Sequence, residues 1–451
     1  MKNQEKMSLN HRLLMRGIRT IILPLSLLSL AMVGLLAGCQ LQNLIPYFTS
    51  STQSPTQAIE TSATPLPGEA AVTPTAQSKT TTLVLWVPPE FDPNIGTHAA
   101  EVFKERLDSF HLEYPNLIVE VRLKALDGRG GLLDSISTAS MAAPKALPAL
   151  VALPTRDMET AALKGLLLPL DNVFNDYQNP DWLPYAAELS MDEGSHYGVP
   201  FAGDILVMAY RPLQSPYPPV SWQELALQDL AVTFPAADPN ATIATSMYLS
   251  AGGKLLNESD FPTLEQAPLF KSFSILNNGT KTGAFPVWIT QFDSFDESWD
   301  AFVNQQTGYS INWASQYLKN PPANISVTAV PKFGDNQVTL AQGWSWCIPN
   351  ISVEQQLYSI LLMKYLSDAN FVNVWGQAAG YVPVRKSGFD NWQGNDLAPI
   401  IVYLTTRAQV MPPSLITHIT SPILETSMVQ VVKMQVFYQQ AVEEIVKNFQ
   451  K

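Results

Sequence analysis

Regular patterning of apolar and polar positions begins at Thr82. The run Thr82-Leu83-Val84-Leu85-Trp86-Val87 is β-rich and stops at Pro88-Pro89, which predicts a strand. Ala99, Val102, Phe103, Leu107 and Phe110 then recur at helical spacing, and Pro115 ends that helix. A second strand follows over 117–123, and a glycine-rich turn at Gly128, Gly130 and Gly131 opens a helix over 132–141. Ala149 to Leu153 reads as a third strand and Met158 to Lys164 as a further helix. Strand, helix, strand, helix, strand at this spacing predicts a parallel sheet with crossover helices, an α/β fold. Ligands of such sheets bind beyond the carboxyl ends of the strands. Those ends are Trp86-Val87-Pro88 and Pro154-Thr155-Arg156-Asp157.

Further along, Ile205 to Tyr210 predicts a strand, and Ser221 a helix cap with Glu224 three residues on. A helix is expected over 298–304 and a strand over 307–313; the last hundred residues alternate helical segments with proline-marked breaks. No internal repeat and no heptad run occurs.

The first forty residues change the picture. Lys2, Lys6, Arg12, Arg16 and Arg19 precede an uncharged apolar run from Ile21 to Leu36, then Leu36-Ala37-Gly38-Cys39. A basic flank, a short apolar stretch and small residues describe a secretory signal; an uncleaved N-terminal anchor is the competing reading. The tetrapeptide resembles a bacterial lipobox. That resemblance implies that Cys39 is diacylated (palmitate or a similar chain) and anchors the protein to the extracytoplasmic side of the cell membrane. From Thr49 to Thr80, 17 of 32 residues are Ser, Thr or Pro and none is aromatic, which predicts a disordered tether. Cys347, the one other cysteine, is expected as a small buried apolar residue without a disulfide.

The formal charge is −12, and loss of five basic residues and one acidic residue before Cys39 takes it to near −16. Such a balance argues against nucleic acid as a partner. The chain carries no Gly-x-Ser-x-Gly elbow and no His-Glu-x-x-His. Asp293, Asp296, Glu297 and Asp300 share one helical face, expected as a solvated face and not a metal site. Asp127-Gly128-Arg129-Gly130-Gly131 lacks a P-loop ending and reads as a plain strand-to-helix turn. No catalytic centre, metal or cofactor is expected.

From Leu83 onward the chain resembles the extracellular solute-binding proteins of the maltose-binding type, the ligand-capturing lipoproteins of ABC importers. The resemblance rests on the order of several segments. Trp86 ends the opening strand, and the helix closes at His111-Leu112-Glu113-Tyr114-Pro115. Gly165-Leu166-Leu167-Leu168-Pro169-Leu170-Asp171 follows, then His196-Tyr197-Gly198-Val199-Pro200-Phe201 with Met208-Ala209-Tyr210. Ser221 to Leu225, Ala301-Phe302 through Ile311-Asn312-Trp313, and Gly380-Tyr381-Val382-Pro383-Val384-Arg385 complete the series. Two departures stand out. Pro148-Ala149 replaces the usual Pro-Asp, and the segment 421–431 carries no aromatic residue, which counts against a maltodextrin ligand.

The resemblance implies a two-lobed periplasmic-binding-protein-like fold (type II), with hinge-connected lobes closing on ligand between them. It divides the chain into a signal over 1–38, lipidated Cys39 and tether over 39–81, and two lobes. The first takes 82–198 and 343–378, the second 199–342 and 379–451. It directs Trp86, Trp313, Trp344, Trp346 and Tyr381 toward the cleft, where flat rings suit sugar faces. Trp344 and Trp346, alternating with Ser345, should face one side of an extended segment. Asp204 stands at the spacing of a ligand-facing acid in that branch, whereas Arg156 and Asp157 are a polar clamp read from the third strand end. Core packing, a turn and a helix cap are the structural alternatives for these three sets.

The expected function is capture of a mono- or oligosaccharide by a monomer and delivery to an ABC transporter permease. A secreted glycoside hydrolase, with carboxylates roughly 5 to 9.5 Å apart, and a binding protein serving a membrane sensor remain alternatives.

Overall fold

The computed structural model describes residues 80–449, and within them the first units form where the pattern predicts them. Strand β1 (Thr81–Val87) lies between β2 (Leu117–Leu123) and β3 (Leu150–Pro154) and pairs with both in parallel. The crossover helix His98–Glu113 starts at Thr97, whose side chain accepts from the Ala100 N–H at 3.2 Å. Its Ala100, Phe103 and Phe110 are buried, so one stripe of the helix covers the sheet. The signal, Cys39 and the tether up to residue 79 lie outside the described residues, and Thr81, expected as the tether's last residue, already belongs to β1. No helix among those described is long and apolar enough to cross a membrane.

The remaining strands are β4 (Met191–Asp192), β5 (Ser195–His196), β6 (Val199–Tyr210), β7 (Val232–Thr233), β8 (Tyr309–Trp313), β9 (Ser326–Thr328), β10 (Leu340–Cys347) and β11 (Gln409–Val410). Strands β4 and β5 form a separate hairpin. The main sheet runs β2-β1-β3-β10-β6-β8-β7, with β11 on β10 and β9 on β6. The parallel expectation holds for β1 to β3. Beyond them β10 enters antiparallel to both β3 and β6, and β6 is antiparallel to β8. The sheet is therefore mixed, because its centre is built from segments that return from far along the chain.

Two hydrophobic cores flank this centre. One gathers Leu85, Phe103, Val151, Leu153, Phe201, Trp346 and Trp375; the other Met208, Phe234, Phe273, Tyr309, Ile311 and Leu424. Strands β6 and β10 serve both. Val199, Phe201 and Ile205 pack in the first core and Leu206 and Met208 in the second, while Leu340 belongs to the second and Ala341 and Trp344 to the first. The architecture is two α/β lobes joined by these crossings, as expected. Cys347 is a free, fully buried side chain in the first core.

The turn after Gly380 is tied to the first core. Val382 exchanges backbone hydrogen bonds with Gly203 of β6, and Tyr185 Oη donates to the Pro383 carbonyl at 2.6 Å. Gly203 is required there, since a Cβ would sit 1.9 Å from Tyr185 Oη. Tyr381, Val382, Val384, Trp392, Ile401 and Leu404 consequently bury in the first core, although the boundary expected at 379 assigns them to the second lobe.

Candidate functional site

A cavity of about 700 Å³ lies between the two cores, at the carboxyl ends of β1 and β3. The size falls within the range of small-molecule sites. Of the eight candidate residues, Arg156, Asp157, Asp204, Trp313, Trp344 and Tyr381 line it together. Trp86 and Trp346 do not line it.

The two misplaced tryptophans have a common cause. Trp86 is buried in the first core, with the Lys124 ammonium 4.6 Å from its ring centre. Trp346 stacks on Phe201 at 4.2 Å and 15° and lies 6.2 Å from Phe103. The expectation that Trp344 and Trp346 share a side is consistent with one continuous aromatic group. Phe91 meets Trp344 edge-on at 4.8 Å and Phe201 at 5.7 Å, and Phe201 carries Trp346. Trp344 sits at the crossing and reaches the cavity; two residues on, Trp346 is interior.

Trp313 ends β8 and precedes the helix Ala314–Leu318. Its ring lies 5.5 Å from Phe295 and is 7% exposed, so the surface it offers is an edge or part of a face. Tyr381 extends from the turn opened by Gly380. Its hydroxyl donates to Glu90 Oε2 at 3.1 Å, and burial followed by the charges of Glu90 and Asp204 drives its pKa far above the ordinary tyrosine value. It therefore stays a protonated donor.

Asp204 turns out to be more committed than a free ligand acceptor. Its Oδ1 accepts from the N–H groups of Ile205 and Ser315, both at 3.0 Å, and its Oδ2 from Ser315 Oγ at 2.5 Å. Three of roughly four acceptor positions are used. Burial nevertheless pushes this carboxyl up to about 6, against the lowering effect of those bonds and of Lys319. Asp204 thus fixes the start of the helix that carries Ser315, Gln316 and Lys319 into the cavity.

Arg156 and Asp157 lie in the first turn of the helix Thr155–Leu163. Pro154 is the cap position and has no side-chain acceptor, so the cap alternative for Asp157 is not realised. Desolvation, then the neighbouring Asp127 charge, pushes Asp157 up to about 6; Arg156 and Lys164 act in the opposite direction. Arg385, the last residue of the 380–385 turn, is buried outside the cavity and paired to Asp176 at 2.7 Å.

Several lining residues carry no local sequence signal. Glu90 Oε2 accepts from Lys319 Nζ at 2.9 Å as well as from Tyr381, and Ser315 and Gln316 complete the polar wall beside Thr155, which the third strand end had already offered. Asp293, Asp296, Glu297 and Asp300 are all exposed, in line with the expected solvated face, and Asp296 also lines the cavity and bonds to Gln316. Reading 314–318 as a helix would have put Ser315 and Lys319, four residues apart, on one face of it, with Gln316 beside them.

The family model for bacterial extracellular solute-binding proteins matches residues 119–396. Among solved structures, the maltose-bound MalE3 of T. maritima shares 16% identity at a TM-score of 0.65, covering 82% of this chain and 99% of its own. The sugar-binding protein MalE of Xanthomonas citri shares 20% at 0.66, covering 82% and 96%. An ABC transporter solute-binding protein of Thermotoga lettingae bound with α-D-tagatose shares 20% at 0.65, covering 82% and 98%. At these identities the likeness is one of fold. No curated protein sequence matches this chain.

Proposed function

This chain belongs to the bacterial extracellular solute-binding protein family, and we propose that it captures a carbohydrate between its lobes and delivers it to an ABC importer permease, without chemistry. One observation carries the reading: a cavity of about 700 Å³ between two cores, with Trp344 and Tyr381 from one and Trp313 from the other. Rings from both sides, with Arg156, Asp157, Gln316 and Gln342 among them, suit a molecule with apolar faces and many hydroxyls. A ligand touching both lobes favours the closed arrangement by its differential contacts. The bound maltose and tagatose of two fold relatives support a saccharide.

On this reading the first lobe takes 82–198, 343–378 and the turn and helices to 404. The second takes 199–342 and the C-terminal helices. Cys39 carries the lipid that holds a monomer at the extracytoplasmic membrane face, and the tether runs from it to the start of β1 at Thr81.

A thermal-shift screen against mono- and oligosaccharides, with dipeptides and polyols as controls, tests the proposal, because a ligand of the native state raises the melting temperature. A saccharide that stabilises and is recovered unchanged supports it. A degraded saccharide points to the hydrolase, and stabilisation by controls alone rejects the carbohydrate. Cys39→Ser, which should release the chain from membranes, tests the anchor.

A further inference from the structure

The glycine-rich turn after β2 borders the cavity. Its Leu126 and Asp127 line it together with Leu133 and Asp157, and the same four residues line a side chamber of about 300 Å³. The turn is closed by the Leu132 N–H on the Ala125 carbonyl at 2.9 Å and the Gly131 N–H on the Gly128 carbonyl at 3.1 Å. A Cβ on Gly131 would stand 2.9 Å from the Asp127 carbonyl carbon, so only glycine lets the backbone close this tightly. The Asp127 backbone is thereby fixed at the join of the two spaces.

Asp157 reaches the same join from the first turn of the helix Thr155–Leu163. Among the described residues, neither carboxylate accepts a hydrogen bond or enters an ion pair. They act on each other instead: after burial, the Asp127 charge is the largest influence on the Asp157 carboxyl, ahead of Arg156 and Lys164. Arg156 lines the main cavity and not the chamber, and Arg129 lines neither. Lys164 lines the chamber but stands two helical turns beyond Asp157, about 10 Å along the axis. Asp134, the chamber's third carboxylate, is committed to the Gly130 N–H at 2.8 Å. The Ser137 hydroxyl oxygen also lines the chamber, buried and without a hydrogen-bond partner.

Two carboxylates and a hydroxyl are thus open around a small space. The adjoining cavity is lined by five carboxylates (Glu90, Asp127, Asp157, Asp204, Asp296) against two fixed cations, Arg156 and Lys319, a balance that disfavours an anionic ligand. A ligand with hydroxyls alone leaves Asp127 and Asp157 repelling each other. An ammonium has three donors and no acceptor, which matches the three open groups. Its attraction to the two carboxylates is stronger in this partly desolvated space than in bulk water.

We propose that the solute is an amine-bearing saccharide whose ammonium enters the side chamber between Asp127 and Asp157 while its ring lies in the main cavity. This inference rests on the carbohydrate reading of that cavity and narrows it to a substrate class.

The test is calorimetry at pH 7 on glucosamine, galactosamine, mannosamine and deacetylated chito-oligosaccharides. Each is compared with its N-acetylated form and with the sugar that carries a hydroxyl in place of the amine. At that pH Asp157, at about 6, is ionised, and an amine resembling an α-amino group, about 7.7 to 8.0, is protonated. The best amine should bind at least tenfold more tightly than both neutral counterparts. Asp127→Asn and Asp157→Asn should each cut that ratio at least threefold, and together bring it to within twofold of unity. Asp127 is exposed, so Asp127→Asn should fold, and circular dichroism checks both variants. A ratio within twofold of unity in the parent, with neutral saccharides bound, overturns the ammonium site and leaves the carbohydrate reading intact. A high ratio that survives both substitutions overturns the side chamber as its source and assigns the preference to the chain's overall negative charge. Binding of no saccharide, amine-bearing or neutral, overturns the carbohydrate reading and this inference with it.

Discussion

Glu159 and Ser414 join the two lobes through one carboxylate. Glu159 Oε2 accepts from the Ser414 N–H at 2.9 Å and from its Oγ–H at 2.8 Å. The helix Ser414–Val432 is preceded by Pro413, which has no side-chain acceptor, so a residue from the other lobe serves its first turn. A carboxylate there also faces the positive end of the helix dipole. Both side chains are buried, and Met158 and Ala161 beside Glu159 pack in the first core while Leu424 and Met428 belong to the second.

Glu159→Ala should therefore destabilise the chain by about 3 kcal/mol, since it strands a buried N–H and hydroxyl. Ser414→Ala keeps the backbone bond and should cost about 1 kcal/mol. Denaturant unfolding of both single variants and the double gives the coupling. Strict additivity in that cycle would show that the two side chains do not act as a unit.

Trp313 and Trp346 should separate binding from folding. Trp313→Ala removes a ring from the cavity wall, and affinity for the best saccharide should fall roughly tenfold or more. Trp346→Ala empties the space against Phe201 and Phe103, at a cost of about 3 to 5 kcal/mol in stability. Calorimetry and denaturant unfolding on both variants distinguish the two roles. Full affinity in folded Trp313→Ala would remove this cavity as the ligand site.

The contrast between these tryptophans marks how far the sequence was legible. Periodicity is a local signal, so β1 to β3 and their helices could be read almost residue by residue. The central antiparallel strands could not, because β10 pairs Trp344 with Pro154 and Ala202 from distant segments. Strand-end logic reached Arg156 and Asp157 just past β3 but also pointed to Trp86, which is core, whereas Trp313 came from the family resemblance. Glu90 and Lys319 were invisible, since their role arises only when remote segments meet. Asp204 was found by its position, yet the fold spends most of its acceptor capacity on Ser315.

Asp204 also predicts a pH dependence. Its carboxyl ionises at about 6 in the folded chain, above the ordinary 3.8, so protonation favours the folded state. That contribution is present below about pH 4 and is lost as pH rises through about 6. It is on the order of 3 kcal/mol for a shift of this size. Asp157, also pushed up to about 6, acts in the same direction. Unfolding measured from pH 4 to 7 should show Asp204→Asn with a shallower decline than the parent, and Asp157→Asn serves as a comparison. An Asp204→Asn profile parallel to the parent's would show that this carboxyl titrates at its ordinary value.

Arg385 should behave as a structural cation despite its place in a turn that the family resemblance brings near the cleft. Its guanidinium is 2.7 Å from Asp176 and 3.8 Å from Asp181, and lies over the Trp182 ring at 3.8 Å, with the side chain 3% exposed. The planar group bonds Asp176, faces Asp181 and covers a ring at once, which a lysine ammonium cannot reproduce. Arg385→Lys should thus cost about 2 kcal/mol, and Arg385→Ala about 3 kcal/mol by losing the packing of the guanidinium on Trp182 and its hydrogen bond to Asp176. Saccharide preference should stay as in the parent, because no part of Arg385 lines the cavity. Denaturant unfolding and the thermal-shift screen on both variants check the two halves. A changed ligand preference with undiminished stability would make Arg385 part of the site after all.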